Sequence, residues 1–332
     1  MAALETKWPT LLDVAKATDP DGNIAMVAEI LNETNEILDD MVWLEGNLAT
    51  GHRTTVRTGI PAPTWRRLYG GVQPTKSTRA QITDSCGMLE AYAEIDKALA
   101  DLNGNTAAFR LSEDQAHVEG MSQEMATALF TADDSLESEK FTGLNARYND
   151  LSAENGDNII QESGISGSDA ASIWLIGWGG NTCHGIYPKG STAGLHQKDL
   201  GEVTVENVDG SNGRMQAYRS HYRWDVGLTL RDWRYVVRVQ VDRSALTSDA
   251  ASGANLPELM FEATERVPNL SGARFSWYMD RNVRTKLRQQ VAAGVSNSTL
   301  TVEMLGGKRI VMFDEIPIRR VDALQVDEAV VS

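Results

Sequence analysis

Residues 51–83 read GHRTTVRTGIPAPTWRRLYGGVQPTKSTRAQIT. The β-branched residues at its start predict a strand near 53–58. Then come three prolines, a Gly-Gly pair and many small polar residues, which cannot bury a core of their own. A return strand is expected near 81–90, so the stretch reads as a long two-stranded excursion with an extended tip. Connections of this length are functional or disordered. Between Gly46 and Thr83 there are six cations, Arg53, Arg57, Arg66, Arg67, Lys76 and Arg79, and no acid. The segment before it is the reverse, with eight acids and no Lys or Arg from Asp19 to Glu45. A charge run on its own describes a solvated face. Two long adjacent blocks of opposite sign point instead to complementary surfaces, within one chain or between copies of it.

The excursion sits in a chain of 332 residues, enough for one large domain or two ordinary ones. With 42% hydrophobic and 23% charged residues the composition is that of a folded soluble protein. The net charge of −15 excludes a protein whose main task is gripping nucleic acid. No apolar run approaches the ~20 residues needed to span a bilayer, and MAALETKWPT lacks the features of a signal peptide. Cys86 and Cys183 suggest no disulfide framework, which fits a reducing cytoplasm.

Periodicity outlines the rest. Ile24, Val27, Leu31 and Leu38 recur near helical spacing, but with a thin apolar face. FRLSEDQAHVEGMSQEMATALF predicts the clearest helix, over 112–130. It opens on a Ser112–Gln115 capping pattern and buries Val118, Met121, Met125 and Leu129. Residues 131–170 are acidic and loop-rich. From Ala171 the chain reads mainly β: Tyr222, Trp224, Val226, Leu228 and Leu230 alternate with more polar residues, as do Val237, Val239 and Val241. A second helix is predicted over 276–292, with Val283, Leu287 and Val291 on one face. TLTVEMLGGKRIVMFDEIPI then predicts a hairpin turning at Gly306-Gly307. The class is α+β.

No stretch carries a reaction. SIWLIGWGGNTCHGIYPKGS, 172–191, starts as a phosphate loop does, with a strand running into glycines. Gly180 and Gly185 have the required spacing, but Ile186 stands where the lysine must be. Gly185 and Gly190 have it too, with Ser191 following and no lysine. No helix-forming run follows to meet a phosphate, so the stretch predicts a strand with a turn-rich exit. His52, His117, His184, His196 and His221 show no metal-ligand spacing, and zinc at Cys183, His184 and His196 is the weaker reading. Catalytic, cofactor-binding and metal-binding residues are each expected to be none.

The organisation resembles the major capsid proteins of tailed bacteriophages, of the Hong Kong ninety-seven type fold. The wording does too: NEILDDMVWLEGN, GHRTTVRTGIPAPTWRRL, LNGNTAAFRLSEDQA, SIWLIGWGGNTCHGIYPKGSTAGL, DWRYVVRV and EIPIRRVDAL are similar to stretches from short-tailed phages. The resemblance implies an N-terminal arm (1–50), an E-loop excursion (51–95), a P-domain with the spine helix (96–150), an A-domain with possible P-domain strands (151–300), and a C-terminal hairpin returning to the P-domain (301–332). It implies an icosahedral shell enclosing double-stranded DNA, assembled in the bacterial host cytoplasm from hexamers and pentamers. The partners implied are a decoration or cement protein, a portal and a scaffold, with only weak contact to packaged DNA and no membrane. Inter-subunit contact falls to Arg53, Arg57, Arg66, Arg67, Lys76 and Arg79.

Two departures stand out. Many relatives carry a helical scaffolding segment ahead of the arm. This chain starts at the arm, so scaffolding is separate, absent, or already removed. The strand-rich block 171–241 also precedes the helix at 276–292, so the element order differs from the usual one. Two rival readings remain: an encapsulin-like shell around cargo, and a soluble enzyme using the glycine-rich loop at Cys183 and His184.

Overall fold

The computed structural model describes residues 35–102, 106–206, 213–247, 253–293, 300–305, 308–324 and 327–332. The predicted helix at Ile24, Val27 and Leu31 lies outside them, as do Gly306 and Gly307. Leu38 falls in a single turn, Ile37–Asp40.

The strands run β1 Trp43–Glu45, β2 Gly51–Gly59, β3 Thr78–Ser85, β4 Gly87–Asp96, β5 Ile159–Gln161, β6 Ala170–Trp178, β7 Cys183–Tyr187, β8 His196–Glu206, β9 Arg214–Leu230, β10 Val236–Asp242, β11 Arg274–Met279, β12 Leu300–Leu305, β13 Lys308–Phe313 and β14 Ile316–Arg320. The longer helices are α1 Thr106–Thr131, α2 Leu256–Arg266 and α3 Arg281–Ala293. The chain divides into two compact units. One contains Met88–Ala126 and Gly194–Asp225; the other contains Thr34–Gly87, Thr127–Ala193 and Val226–Ser332.

The larger unit is organised by β6, AASIWLIGW, all nine residues of which are buried. A continuous apolar run of this kind suits a strand covered on both faces. It pairs antiparallel with β10 on one edge and β11 on the other. One core gathers Ile173 and Leu175 with Val237, Val239, Trp277, Met260 and Leu287. The opposite face presents Trp174 to Phe130 and Tyr148, with ring centroids 6.2 and 5.8 Å apart. Gly177 permits the close approach of β11, because a Cβ there would lie 2.7 Å from the Phe275 ring. The stretch 172–191 is thus a central strand, a tight turn in which the Thr182 amide donates to the Gly179 carbonyl (3.1 Å), and β7.

In β10 both faces are buried, not one. The polar face that alternation assigned to solvent is sealed by the C-terminal segment. Arg238 donates to Glu328 (2.6 Å), to the Tyr148 carbonyl (2.6 Å) and to Ser172 (3.0 Å). Gln240 accepts from the Val331 amide (2.9 Å). Burial pushes the Arg238 guanidinium below its ordinary value, against the pull of Glu328.

The acidic segment is partly neutralised inside this unit. Buried Asp40 accepts from Arg319 (2.9 Å) and from the Tyr278 hydroxyl (3.0 Å), and it also accepts from Arg274. At least this member of the acidic block serves C-terminal arginines rather than the basic excursion.

The smaller unit sets β4 and β8 on either side of β9. Beneath them Ile95, Ala100 and Phe109 form one cluster, and Ala93, Met121 and Tyr222 another.

Three expected boundaries move. The main helix starts at Thr106 rather than at 112 and has 26 residues, about seven turns. Ala107 and Ala108 extend it and Phe109 buries against Ile95, which overrides the local Ser112–Gln115 capping pattern. The return strand at 81–90 is two strands that break at Cys86, because β3 pairs with β2 and β4 with β9. The helix expected over 276–292 begins at Arg281. Ser276 belongs to β11, opposite Ile176, and Asp280 caps the helix by accepting from the Val283 amide (2.8 Å).

Removing one partner of a buried ion pair strands the other charge, at about 3–5 kcal/mol. Glu328→Ala should therefore lower the subunit's unfolding free energy by about 3 kcal/mol or more, measured by urea denaturation. An unchanged midpoint would show that Arg238 finds another partner. Met125 is buried on α1. Met125→Asp should cost several kcal/mol and remove soluble assembly; normal particles from that variant would contradict the inward helix face.

Candidate intermolecular interface

β2 and β3 form a two-stranded ribbon of their own, registered from Gly51↔Ser85 to Gly59↔Thr78 with an irregularity between Arg57 and Gly59. Its root is polar and buried. Asp84 is held by Arg147 (2.8 Å), which also donates to the Leu228 carbonyl (2.9 Å). His52, opposite Asp84, meets His184 of β7 edge to face at 5.9 Å between ring centroids. His184 is 1% exposed, and its ring nitrogens make no well-formed hydrogen bond. Desolvation, His52 and Arg231 push its pKa down to about 4, against the Gly179 carbonyl and Asp84. Burial and Arg231 also lower His52, against Asp84.

Beyond the root the ribbon loses support. Thr58 and Thr78 bridge the neck through their hydroxyls (3.1 Å). Over 60–77, among the described residues, the one hydrogen bond runs from the Gly70 amide to the Arg67 carbonyl (3.0 Å). Ile60, Trp65, Leu68 and Tyr69 are almost wholly exposed. Tyr69 has a φ of 61°, which costs about 1–2 kcal/mol for a residue with a Cβ.

All six predicted cations are exposed on this ribbon. Arg53 donates to the Thr83 hydroxyl (3.2 Å). Arg57 and Arg79 stand directly opposite each other across the strands, a like-charge pairing that is unfavourable on its own. Arg57 also lines an open groove of ≈ 740 Å³ with Thr55, Glu154, Asn181, Arg231 and Trp233. Arg66, Arg67 and Lys76 lie on the tip. Among the described residues, none of the six is in an ion pair.

The four helix residues divide. Met121, Met125 and Leu129 are buried, whereas Val118 is 38% exposed because it lines an open groove. Counting charges overlooked the exposed aromatic residues of TWRRLYGG. Their signal was present: large apolar side chains in a segment too rich in proline and glycine to bury them.

Cys183 and His184 are neighbours on β7, so their side chains point to opposite faces. Burial pushes the Cys183 thiol up to about 12, the reverse of an activated nucleophile. Among the described residues no three His, Cys, Asp or Glu side chains group as metal ligands, and no helix is long and apolar enough to cross a membrane.

The family model described as major capsid protein GP7 matches residues 19–332. A chain from the near-atomic cryo-EM structure of bacteriophage Epsilon15 is 34% identical, with a TM-score of 0.79 and all of both chains covered. The capsid of bacteriophage JBD30 matches at 10% identity and a TM-score of 0.46, covering 97% of each chain. An encapsulin complex from Synechococcus elongatus matches at 8% identity and a TM-score of 0.43, over 65% of this chain and 91% of that one. A search of curated proteins finds no match.

The buried histidine makes stability pH-dependent. His184 titrates near 6.5 when unfolded and about 4 when folded, so the unfolded chain binds the extra proton first. Its contribution is complete above pH 6.5, falls as pH drops through the window from about 6.5 to about 4, and is flat below. The loss is on the order of 3 kcal/mol, with His52 acting in the same direction. Urea unfolding of the free subunit at stepped pH should show this slope, and His184→Gln should flatten it. An unchanged slope in that variant would assign the effect elsewhere.

Proposed function

The chain belongs to the major capsid protein GP7 family, and from that premise we propose how its surface builds a shell. It is a phage major capsid protein of the Hong Kong ninety-seven type fold, the shell-forming subunit of an icosahedral capsid. In our reading 51–85 is the E-loop, and its tip docks on an acidic surface of a neighbouring copy. The observation that carries this is the ribbon itself. It holds six exposed cations without an ion-pair partner, opposes Arg57 to Arg79, and leaves Trp65 and Tyr69 in solvent. A contact with a second copy would relieve each of these costs at once.

The broader assignment follows the same chemistry. The domain divisions are an arm over 1–50, the E-loop over 51–95, a P-domain from 96, an A-domain over 151–300 and a C-terminal return over 301–332. Copies associate as hexamers and pentamers around double-stranded DNA, in the host cytoplasm, with a portal, a scaffold and a decoration protein as partners. A net charge of −15 keeps contact with the packaged genome weak. The role assigned to the chain is structural rather than catalytic, a reading supported by Cys183, which is sealed in the sheet with a raised pKa and so is no activated nucleophile. The shell-around-DNA reading is preferred to a cargo shell on the GP7 family match.

Exposed surface substitutions usually change stability by no more than about 0.5 kcal/mol. Arg66→Glu with Arg67→Glu should therefore leave the subunit folded yet prevent assembly, since even about 1 kcal/mol per contact repeats at every interface. Salt at 1 M, which shortens the screening length to about 3 Å, should partly restore assembly. Electron microscopy and sedimentation at low and high salt read the outcome. Normal yields of the double variant at low salt would overturn the docking role.

A further inference from the structure

The two helices that cover the core of the larger unit carry opposite charge on their outer faces. Met260 and Ala263 of α2 and Val283 and Leu287 of α3 enter the same core. On the far side of α2, Glu258, Phe261, Glu262 and Glu265 are exposed and share one stripe. The corresponding stripe of α3 holds Arg281, Arg284 and Arg288, and α3 contains no acid. Within the subunit these charges look elsewhere. Glu262 pairs with Arg266 of its own helix (2.8 Å), and Arg281 shares Asp322 with Arg320 (2.7 and 2.8 Å). Among the described residues, Glu265, Arg284 and Arg288 are in no ion pair, and Arg284 buries its Nε without a hydrogen-bond partner.

Neither stripe suits the helix that bears it. Arg281 opens α3 and Glu265 lies in the last turn of α2, each the wrong sign for its own helix dipole. Burial lowers the Arg284 pKa against the pull of Glu36, and Arg288, Arg320 and Arg319 lower it further. A carboxylate brought to this stripe would relieve that repulsion. Between the acids of α2, Phe261 is 39% exposed, its ring resting on Phe313. The spacings also match. From Glu258 the acids follow four and seven residues on, and from Arg288 the arginines follow four and seven residues back. Each stripe therefore spans about 10.5 Å at ~1.5 Å per residue.

We propose that the acidic stripe of α2 receives the arginine stripe of α3 from a second copy of this chain, with the two helices antiparallel. One register then brings Glu258 to Arg288, Glu262 to Arg284 and Glu265 to Arg281. The Phe261 ring lies against the guanidinium groups and their aliphatic stems, and the helix dipoles oppose each other favourably. Each copy gives one stripe and receives the other, so the contact is heterologous and repeats from copy to copy, as a ring requires. The pairing fixes which copies meet and in what register. It rests on the shell-forming reading above and uses neither the ribbon nor α1.

Charge exchange and cross-linking in the full-length protein test this. Glu262→Arg with Glu265→Arg, and separately Arg284→Glu with Arg288→Glu, should each lower particle yield by at least about tenfold, as facing like charges do. The four changes together should recover most of that yield. Circular dichroism and urea unfolding of each free subunit check that it is folded. If the parent forms particles and reversal of either stripe leaves their yield intact, the helix contact is refuted while the shell reading stands. If the parent forms no particles or smaller oligomers at all, both fail. Rescue of the acidic-stripe variant by Arg66→Glu with Arg67→Glu, or no rescue by the α3 changes, would give the acids a different partner and refute the pairing. So would an α3 variant that assembles normally and loses only its DNA. Register is read without charge reversal. Glu258→Cys with Arg288→Cys should give ladders of covalent multimers under mild oxidation, absent from the parent, and Glu258→Cys with Arg281→Cys should not. Particles lacking the first ladder, or showing the second, would also refute the antiparallel pairing.

Discussion

Nine consecutive buried residues in β6 impose a constraint that the larger unit is built to meet. Both edges of such a strand need partners for their backbone groups, and both faces need cover. β10 and β11 take the edges. Met260 of α2 and Leu287 of α3 join the core on one face, and Trp174 meets Phe130 and Tyr148 on the other. Covering β10 in turn draws in the C-terminal segment. Arg238 is buried beside Trp174 and has to be satisfied, and Glu328 supplies the charge. Chain segments some ninety positions apart are thereby fixed to one another.

The excursion is built on the contrary principle. Its root is tied down by Arg147 and packed on β7, where two histidines are held with lowered pKa values. Its distal part has almost no bonding within the chain, and it carries its largest side chains in water. A subunit acting alone would gain nothing from this arrangement. A subunit that repeats around a shell can order such a loop on its neighbour, where contact offsets the conformational entropy lost. The rigid root limits that loss to the tip.

Much of this was legible beforehand, because its signals are local. The run SIWLIGW could be read as a strand from its own residues, and the glycines after it as turns, since a failed phosphate motif leaves only their backbone role. The basic excursion was visible in composition alone. The helix carrying Met121, Met125 and Leu129 was visible in spacing. What misled were local patterns with a stronger distant competitor. Ser112 looked like a helix cap, but Phe109 had a core to enter. The stretch from 276 looked helical, but Phe275, Trp277 and Met279 alternate into the sheet core.

The sequence by itself determined the alternation of elements, the sign of the excursion's charge and its inability to fold alone, because these depend on residue type and short spacing. Only the tertiary structure decided which acids were already used. Asp40 belongs to the acidic block by sequence, yet it is buried against Arg319 and Tyr278. Likewise Arg238 and Gln240 read as a solvent face until Glu328 and Val331 close over them. Charge and hydropathy are properties of a residue, whereas a partner is a property of the fold. Segments remote in the chain become neighbours only when the sheet has brought them together, and no local pattern records that.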